Sequence, residues 1–90
     1  MKPRVCVDFD GTIFDGAGLL TGCIEALQKL QETHRVAIFS ARETSAREWM
    51  IRYLIEQGVP HDEVLPPKPE ADAFIDDKGR KFEGWDKSYL

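Results

Sequence analysis

The sequence has little that would insert it into a membrane, cross-link it by disulfides or bind it broadly to nucleic acid. None of its apolar runs is long enough to span a bilayer, and its first residues do not form a signal peptide. Only two cysteines are present, Cys6 and Cys23, in core-like contexts and without metal-ligand spacing. The net charge of −4 disfavours a broad nucleic-acid groove but allows one local phosphate site. We therefore expect a cytoplasmic protein with buried thiols and no membrane association.

What the chain does contain is enough apolar sequence for one modest core. It has 90 residues, of which 42% are hydrophobic. A chain of this size buries roughly 64% of its unfolded surface. We expect a single domain over residues 1–90.

Strand-like and helix-like segments alternate along the chain. Strands are predicted at 5–9, 36–39, 64–65, 73–75 and near 81–82. One helix is predicted after an N-cap at Thr21 and another over 45–57, with a capping box at Ser45 and Glu48 and a C-terminal Gly58. Trp49 is placed on the inward stripe of the second helix. This alternation predicts an α/β fold, a three-layer α/β/α sandwich with a small, mainly parallel, Rossmann-like sheet.

Mostly polar residues follow the predicted strands. They lie at the carboxyl ends of the strands, which is where parallel sheets bind their ligands. They are Asp8, Asp10 and Thr12 after the first strand, Ser40, Ala41 and Arg42 after the second, Lys68 in the third connection, and Asp76 and Asp77 at the fourth strand. Neighbouring carboxylates repel by roughly 4 kcal/mol per pair at an effective dielectric of 20. A small domain is stable by only ~5–15 kcal/mol and needs a counter-charge there. Hard oxygen ligands suit Mg²⁺, so Asp8, Asp10, Asp76 and Asp77 are the predicted metal ligands.

The same residues carry a family resemblance. The segment Val7-Asp8-Phe9-Asp10-Gly11-Thr12 resembles the first motif of the haloacid dehalogenase (HAD) superfamily of phosphotransferases. Ser40 resembles the second motif, Lys68 the third and Ile75-Asp76-Asp77 the fourth, in the family's order. The tail at 78–85 is similar to that of small phage- and bacteria-type members.

The resemblance implies a role for each of these residues. Asp8 would be the nucleophile that forms an aspartyl-phosphate, and Asp10 the general acid and then the base for water. Mg²⁺ would be held by the Asp8 carboxylate, the Asp10 carbonyl and Asp76. Asp77 would bind the ion through a water molecule or contact one of its ligands. Ser40 and the adjacent Ala41 N–H would hold phosphate oxygens, and Lys68 would offset negative charge.

Six further residues have two interpretations each. Thr12 either orients groups near the nucleophile or stabilises the turn, and Arg42 is either a bidentate phosphate ligand or a solvated residue before the second helix. The cations Lys78, Arg80 and Lys81 either attract an anionic substrate or lie on a solvated turn. Trp85, near the C-terminus, either closes the core or contacts another subunit, so a homo-oligomer is left open.

The connections leave no room for the cap domain that many HAD enzymes carry. We therefore expect a capless, Mg²⁺-dependent phosphatase whose substrate is a phosphorylated small molecule, with a phosphorylated nucleic-acid end as a second choice. A non-catalytic phosphate- or metal-binding module is the alternative. A receiver-type phosphoacceptor domain is disfavoured because Lys68 precedes the last acidic pair.

Overall fold

The computed structural model describes residues 2–66, 73–76, 80–81 and 84–85, with 73–76 and 80–81 described by their backbone. In chain order the elements are β1 (Arg4–Asp8), α1 (Cys23–Gln31), β2 (Arg35–Phe39), α2 (Thr44–Glu56), β3 (Glu63–Val64), β4 (Ala73–Asp76) and β5 (Arg80–Lys81). The strands and α2 lie within one residue of their predicted bounds, because continuous β-branched runs and helical spacing are strong local signals.

The five strands form one sheet in the order β3-β2-β1-β4-β5. Every neighbouring pair in it is parallel. β1 is the central strand, with Asp8 paired with Phe39 of β2 and Val7 paired with Ile75 of β4. The carboxyl ends of β1, β2 and β4 therefore lie at the same edge of the sheet.

Alternate residues of the central strands bury opposite faces of this sheet. One face carries Val5, Val7, Val36 and Ile38, which share a cluster with Cys23 and Leu27 of α1 and with Met50 and Leu54 of α2. Both helices pack on this face because the two right-handed crossovers lead in the same direction. On the other face Cys6 and Ala37 are also fully buried. Both faces of the sheet are buried, and the predicted α/β, Rossmann-like fold is confirmed. Of the three predicted layers, the described residues supply the sheet and one helical layer, because α1 and α2 lie on the same face.

The predicted helix caps are wrong at both N-termini. Gly22, not Thr21, is the N-cap of α1, in a left-handed conformation with φ 83°. The N-cap of α2 is Glu43, and no side chain caps it. Since α2 begins at Thr44, Ser45 lies inside the first turn and cannot occupy the cap position of a capping box. Gly58 follows the C-cap with φ 66°, as predicted.

The two tryptophans have different surroundings. Trp85 is half-buried against the core, and its indole Nε1 donates to the carbonyl of Thr12 over 2.7 Å. Trp49 was predicted to face inward, but it is 39% exposed, which corrects that prediction. The buried stripe of α2 runs through Met50 and Leu54, so the residue before Met50 lies on the flank of the helix.

In the part of the chain that is described, no helix combines the length and the apolar character needed to cross a bilayer.

Candidate functional site

The loop after β1 turns sharply at the edge of the sheet. Phe9 extends the ladder by one residue, donating its N–H to Phe39 O over 3.1 Å. Its own carbonyl accepts from the amides of Thr12, Ile13 and Phe14 at 3.4, 3.0 and 3.0 Å. Gly11 permits the turn with φ 82°. Half-buried Asp8, buried Phe9 and exposed Asp10 follow one another along the chain, so Asp8 ends β1 and Asp10 lies in the turn where the chain folds back.

Asp10 is bound by two residues from the β2–α2 loop. Arg42 donates from Nη2 to Oδ1 over 2.8 Å and from Nε to Oδ2 over 3.0 Å. Ser40 donates from Oγ to Oδ2 over 3.3 Å and accepts from the Arg42 N–H over 3.0 Å. The loops after β1 and β2 are therefore joined by a small hydrogen-bond network at the carboxyl edge of the sheet.

This network sets the charge of Asp10. The hydrogen bonds and positive charge of Arg42 hold the pKa of Asp10 below its ordinary value against a smaller desolvation effect, and Ser40 adds to the lowering. The same pair raises the pKa of Arg42. Asp10 is thus an ionised carboxylate, with half of its side-chain surface open to solvent.

An aromatic cluster lies against the back of Arg42. It consists of Phe9, Phe14, Trp49 and Tyr53. The guanidinium carbon lies 5.4, 5.8 and 5.3 Å from the ring centres of Phe9, Phe14 and Trp49. Trp49 in turn stacks on Tyr53 with the centroids 4.9 Å apart. We call these four residues and Arg42 the aromatic wall.

The aromatic wall was missed in the sequence, although a signal for it was present. Trp49 and Tyr53 are four residues apart on α2 and therefore share one flank of the helix. Phe9 and Phe14 lie at the two ends of the turn that contains Asp10. The interpretation of Arg42 as a solvated residue is incorrect, because the side chain is bound on one side by Asp10 and on the other by the rings.

The predicted metal ligands are only partly described. The parallel register places Asp76 at the end of β4 beside the end of β1, so Asp76 and Asp8 share one sheet edge. The side chain of Asp76, and Asp77 and Lys68 altogether, lie outside the described residues. Among the side chains that are described, no group of three or more His, Cys, Asp or Glu could hold a metal ion.

The donors at this edge nevertheless suit Mg²⁺ in chemical type. The Asp8 carboxylate lies at the strand end, and the described loop hydrogen bonds use the carbonyls of Phe9, Ile13 and Phe14 but not that of Asp10. A carboxylate with a backbone carbonyl is a hard oxygen set, and a carboxylate at Asp76 would extend it.

The remaining predicted phosphate ligands are placed as follows. Ser40 is 2% exposed, with its hydroxyl in the network described above. Ala41 is exposed at the start of the loop. Thr12 is also 2% exposed, and its backbone carbonyl accepts from Trp85, so both interpretations of its hydroxyl stay open.

A cleft of about 450 Å³ lies on the other side of the same loop. It is lined by Asp15, Leu19, Leu20, Thr21, Gly84 and Trp85. Among the described residues of this lining there is a carboxylate, Asp15, and no cationic side chain, so these residues do not favour a phosphate.

Comparison with known proteins identifies the fold but no function. No protein-family model matches the sequence, and no curated protein matches it. A solved structure of a conserved protein from Bacteroides thetaiotaomicron is similar, at 26% sequence identity and a TM-score of 0.78. The similarity covers 96% of this chain and 85% of that one. It therefore extends over nearly the whole α/β fold.

Proposed function

We propose that this protein is a Mg²⁺-dependent phosphatase that hydrolyses a phosphate monoester through an aspartyl-phosphate on Asp8. The observation that carries the proposal is the meeting of the first two motifs: Ser40 Oγ lies 3.3 Å from the Asp10 carboxylate, although 30 residues separate them. The parallel register of β4 with β1, which brings Asp76 to the same edge as Asp8, supports it further. The motif resemblance then provides a role for each group.

The proposed reaction has two steps at one carboxylate. An oxygen of Asp8 attacks phosphorus as the bond to the leaving oxygen breaks, and Asp10 gives that oxygen a proton. Asp10 then takes a proton from water as the water attacks the aspartyl-phosphate, which releases inorganic phosphate and restores Asp8. Ser40 would bind phosphate oxygens, and Lys68 would offset their charge. When bound by Asp8, the Asp10 carbonyl and Asp76, Mg²⁺ would neutralise charge between nucleophile and phosphate.

Arg42 must change partner for the first of these steps. While it binds Asp10, that carboxylate is ionised, which is the form needed as a base but not as an acid. A phosphate dianion is a better ligand for the guanidinium than a single carboxylate and accepts the same bidentate geometry. We expect substrate phosphate to draw Arg42 away from Asp10 on binding.

The proposal is tested by phosphate release from a panel of phosphometabolites and 5′-phosphorylated oligonucleotides, with and without Mg²⁺. Wild type is expected to release phosphate from some members in the presence of Mg²⁺, and Asp8→Asn to release none above background. Asp15→Asn is the matched control: it changes an exposed carboxylate of the same loop whose described hydrogen bonds to other residues are to the amides of Ala17 and Gly18. Activity that survives in Asp8→Asn would remove Asp8 as the nucleophile.

One observation favours the alternative of a non-catalytic binding module. Arg42 and Asp10 form an ion pair in the network described above, so the proposed general acid is already bound by a cation. A module of this kind would bind Mg²⁺ or inorganic phosphate, measurable by calorimetry, and release no phosphate from any member of the panel.

Three broader expectations belong to the same proposal. The two free, buried cysteines suit a reducing cytoplasm. Small phosphorylated molecules remain the expected substrates, ahead of a phosphorylated nucleic-acid end. Lys78, Arg80 and Lys81, whose side chains lie outside the described residues, would attract an anionic substrate from the rim.

A further inference from the structure

The starting point is an exposed aromatic ring beside the proposed acid. Among the described residues, Trp49 and Ile55 are the large hydrophobic side chains that are exposed, at 39% and 68%. Ile55 follows Trp49 by six positions, which places it about 240° farther round the helix axis. The two therefore lie on different sides of α2, and Trp49 is the one that borders the site.

Trp49 reaches the site through Arg42. Its ring centre lies 5.3 Å from the guanidinium carbon, and the same guanidinium binds Asp10 over 2.8 Å. One side chain thus separates the indole from the carboxylate that would protonate the leaving oxygen. Phe14 packs edge-on against Trp49, with the ring centres 5.4 Å apart, and fixes its position from the loop side.

The leaving group of a substrate must begin at this point. If Asp10 protonates the leaving oxygen, the organic part of the ester is bonded to that oxygen and lies next to the aromatic wall. No cap domain is inserted between β1 and α1 or between β2 and α2 to contact that part of the substrate. Its nearest described neighbours are therefore π surfaces and a planar guanidinium.

We propose that Trp49 binds a planar aromatic ring on the leaving group when substrate phosphate draws Arg42 off the indole, so that nucleoside monophosphates are preferred to sugar phosphates. A nucleobase presents a complete π face that stacks on an indole, whereas ribose has no π face and offers mainly hydroxyl groups and a small C–H surface. The net charge of −4 favours a free nucleotide over a longer nucleic acid. The inference rests on the proposed phosphatase function and names the substrate class of that site.

The test compares two substrates with the same leaving oxygen. Adenosine 5′-monophosphate and ribose 5-phosphate both release a primary 5′-alcohol, so their chemistry is matched and they differ by the base. Wild type is expected to show a higher kcat/KM for the nucleotide. Trp49→Leu should reduce that preference roughly tenfold, which is the typical contribution of one base stack. The reduction should come from a lower kcat/KM for the nucleotide, while kcat/KM for ribose 5-phosphate stays the same. Trp49→Phe should keep most of the preference, and Ile55→Ala should leave kcat/KM for both substrates unchanged.

Two results would overturn the inference while the phosphatase function stands. One is an equal kcat/KM of wild type for the two substrates. The other is an equal loss on both in Trp49→Leu, which would indicate a structural role for the ring.

A binding measurement separates this inference from the phosphatase proposal. In Asp8→Asn, which is expected not to turn over, calorimetry should show tighter binding of adenosine 5′-monophosphate than of ribose 5-phosphate, and Trp49→Leu in that background should abolish the difference. If wild type releases phosphate from no member of the panel but this difference is found, the ring-binding site stands and the phosphatase proposal fails. Equal binding of both compounds overturns the site itself.

Discussion

Arg42 holds both carboxylate oxygens of Asp10, with contacts of 2.8 and 3.0 Å across 32 residues of chain. The guanidinium is at the same time packed over the rings of Phe9, Phe14 and Trp49. One residue thus joins the two loops that follow neighbouring strands and connects the ionic part of the site with its aromatic part.

Removing Arg42 should raise the pKa of Asp10. In Arg42→Gln the cation and its hydrogen bonds are lost, so the pKa of Asp10 should rise toward the ordinary range of an aspartate. Carbon-13 NMR titration of Asp10 in Mg²⁺-free buffer measures this directly. An unchanged Asp10 pKa in the variant would show that the pair is not formed in solution.

The same pair should affect stability in one pH range. Because the folded pKa of Asp10 is depressed, its stabilisation is fully present above about pH 4 and is lost as the pH falls through the lower folded value. The effect should be below about 1 kcal/mol, since both side chains are partly solvated. Urea unfolding of wild type and Arg42→Gln should therefore differ at pH 7, and the difference should become smaller in strong acid, where the ring contacts of Arg42 remain but the ion pair is lost.

Two adjacent residues of α2 should differ strongly in their contribution to stability. Leu54 is fully buried in the core, so Leu54→Ala should lower the free energy of unfolding by about 2–5 kcal/mol. Ile55 is 68% exposed, and Ile55→Ala should change it by no more than about 0.5 kcal/mol because alanine also favours the helix. Urea denaturation followed by circular dichroism measures both. Equal effects would contradict the orientation of α2.

Trp85 should stabilise the turn that carries the site. Trp85→Phe keeps a ring but removes the donor that binds Thr12 O over 2.7 Å, at an expected cost of about 1 kcal/mol. Trp49→Phe is the matched comparison, because Trp49 contributes through ring contacts, and it should cost less in the same urea denaturation experiment. A Trp85→Phe protein as stable as wild type would argue against the contact.

Both thiols should resist modification in the native protein. Cys6 and Cys23 are 0% and 1% exposed, and burial raises the pKa of each to about 11. Little thiolate is therefore available at neutral pH. Ellman's reagent should label two thiols promptly in urea and only at the rate of unfolding in buffer. Immediate labelling under native conditions would contradict their burial.

Local patterns predicted the elements of this fold more reliably than their ends. The run Val5-Cys6-Val7 predicted a strand buried on both faces, and both faces are indeed buried. The capping box at Ser45 failed because one residue of shift at a helix start changes which side chain is the cap, and flanking contacts decide that shift. The site residues were predictable in so far as parallel strands end at a common edge.

The amino-acid sequence by itself determined the strands, the helices and the polar residues at the strand ends, since these depend on neighbours along the chain. Tertiary structure alone decided that Arg42 binds Asp10 and that Trp49 is exposed beside it. A long arginine side chain has many rotamers, and a tryptophan on the flank of a helix can face core or solvent. Which of these states is occupied depends on what the neighbouring strand and loop place within reach.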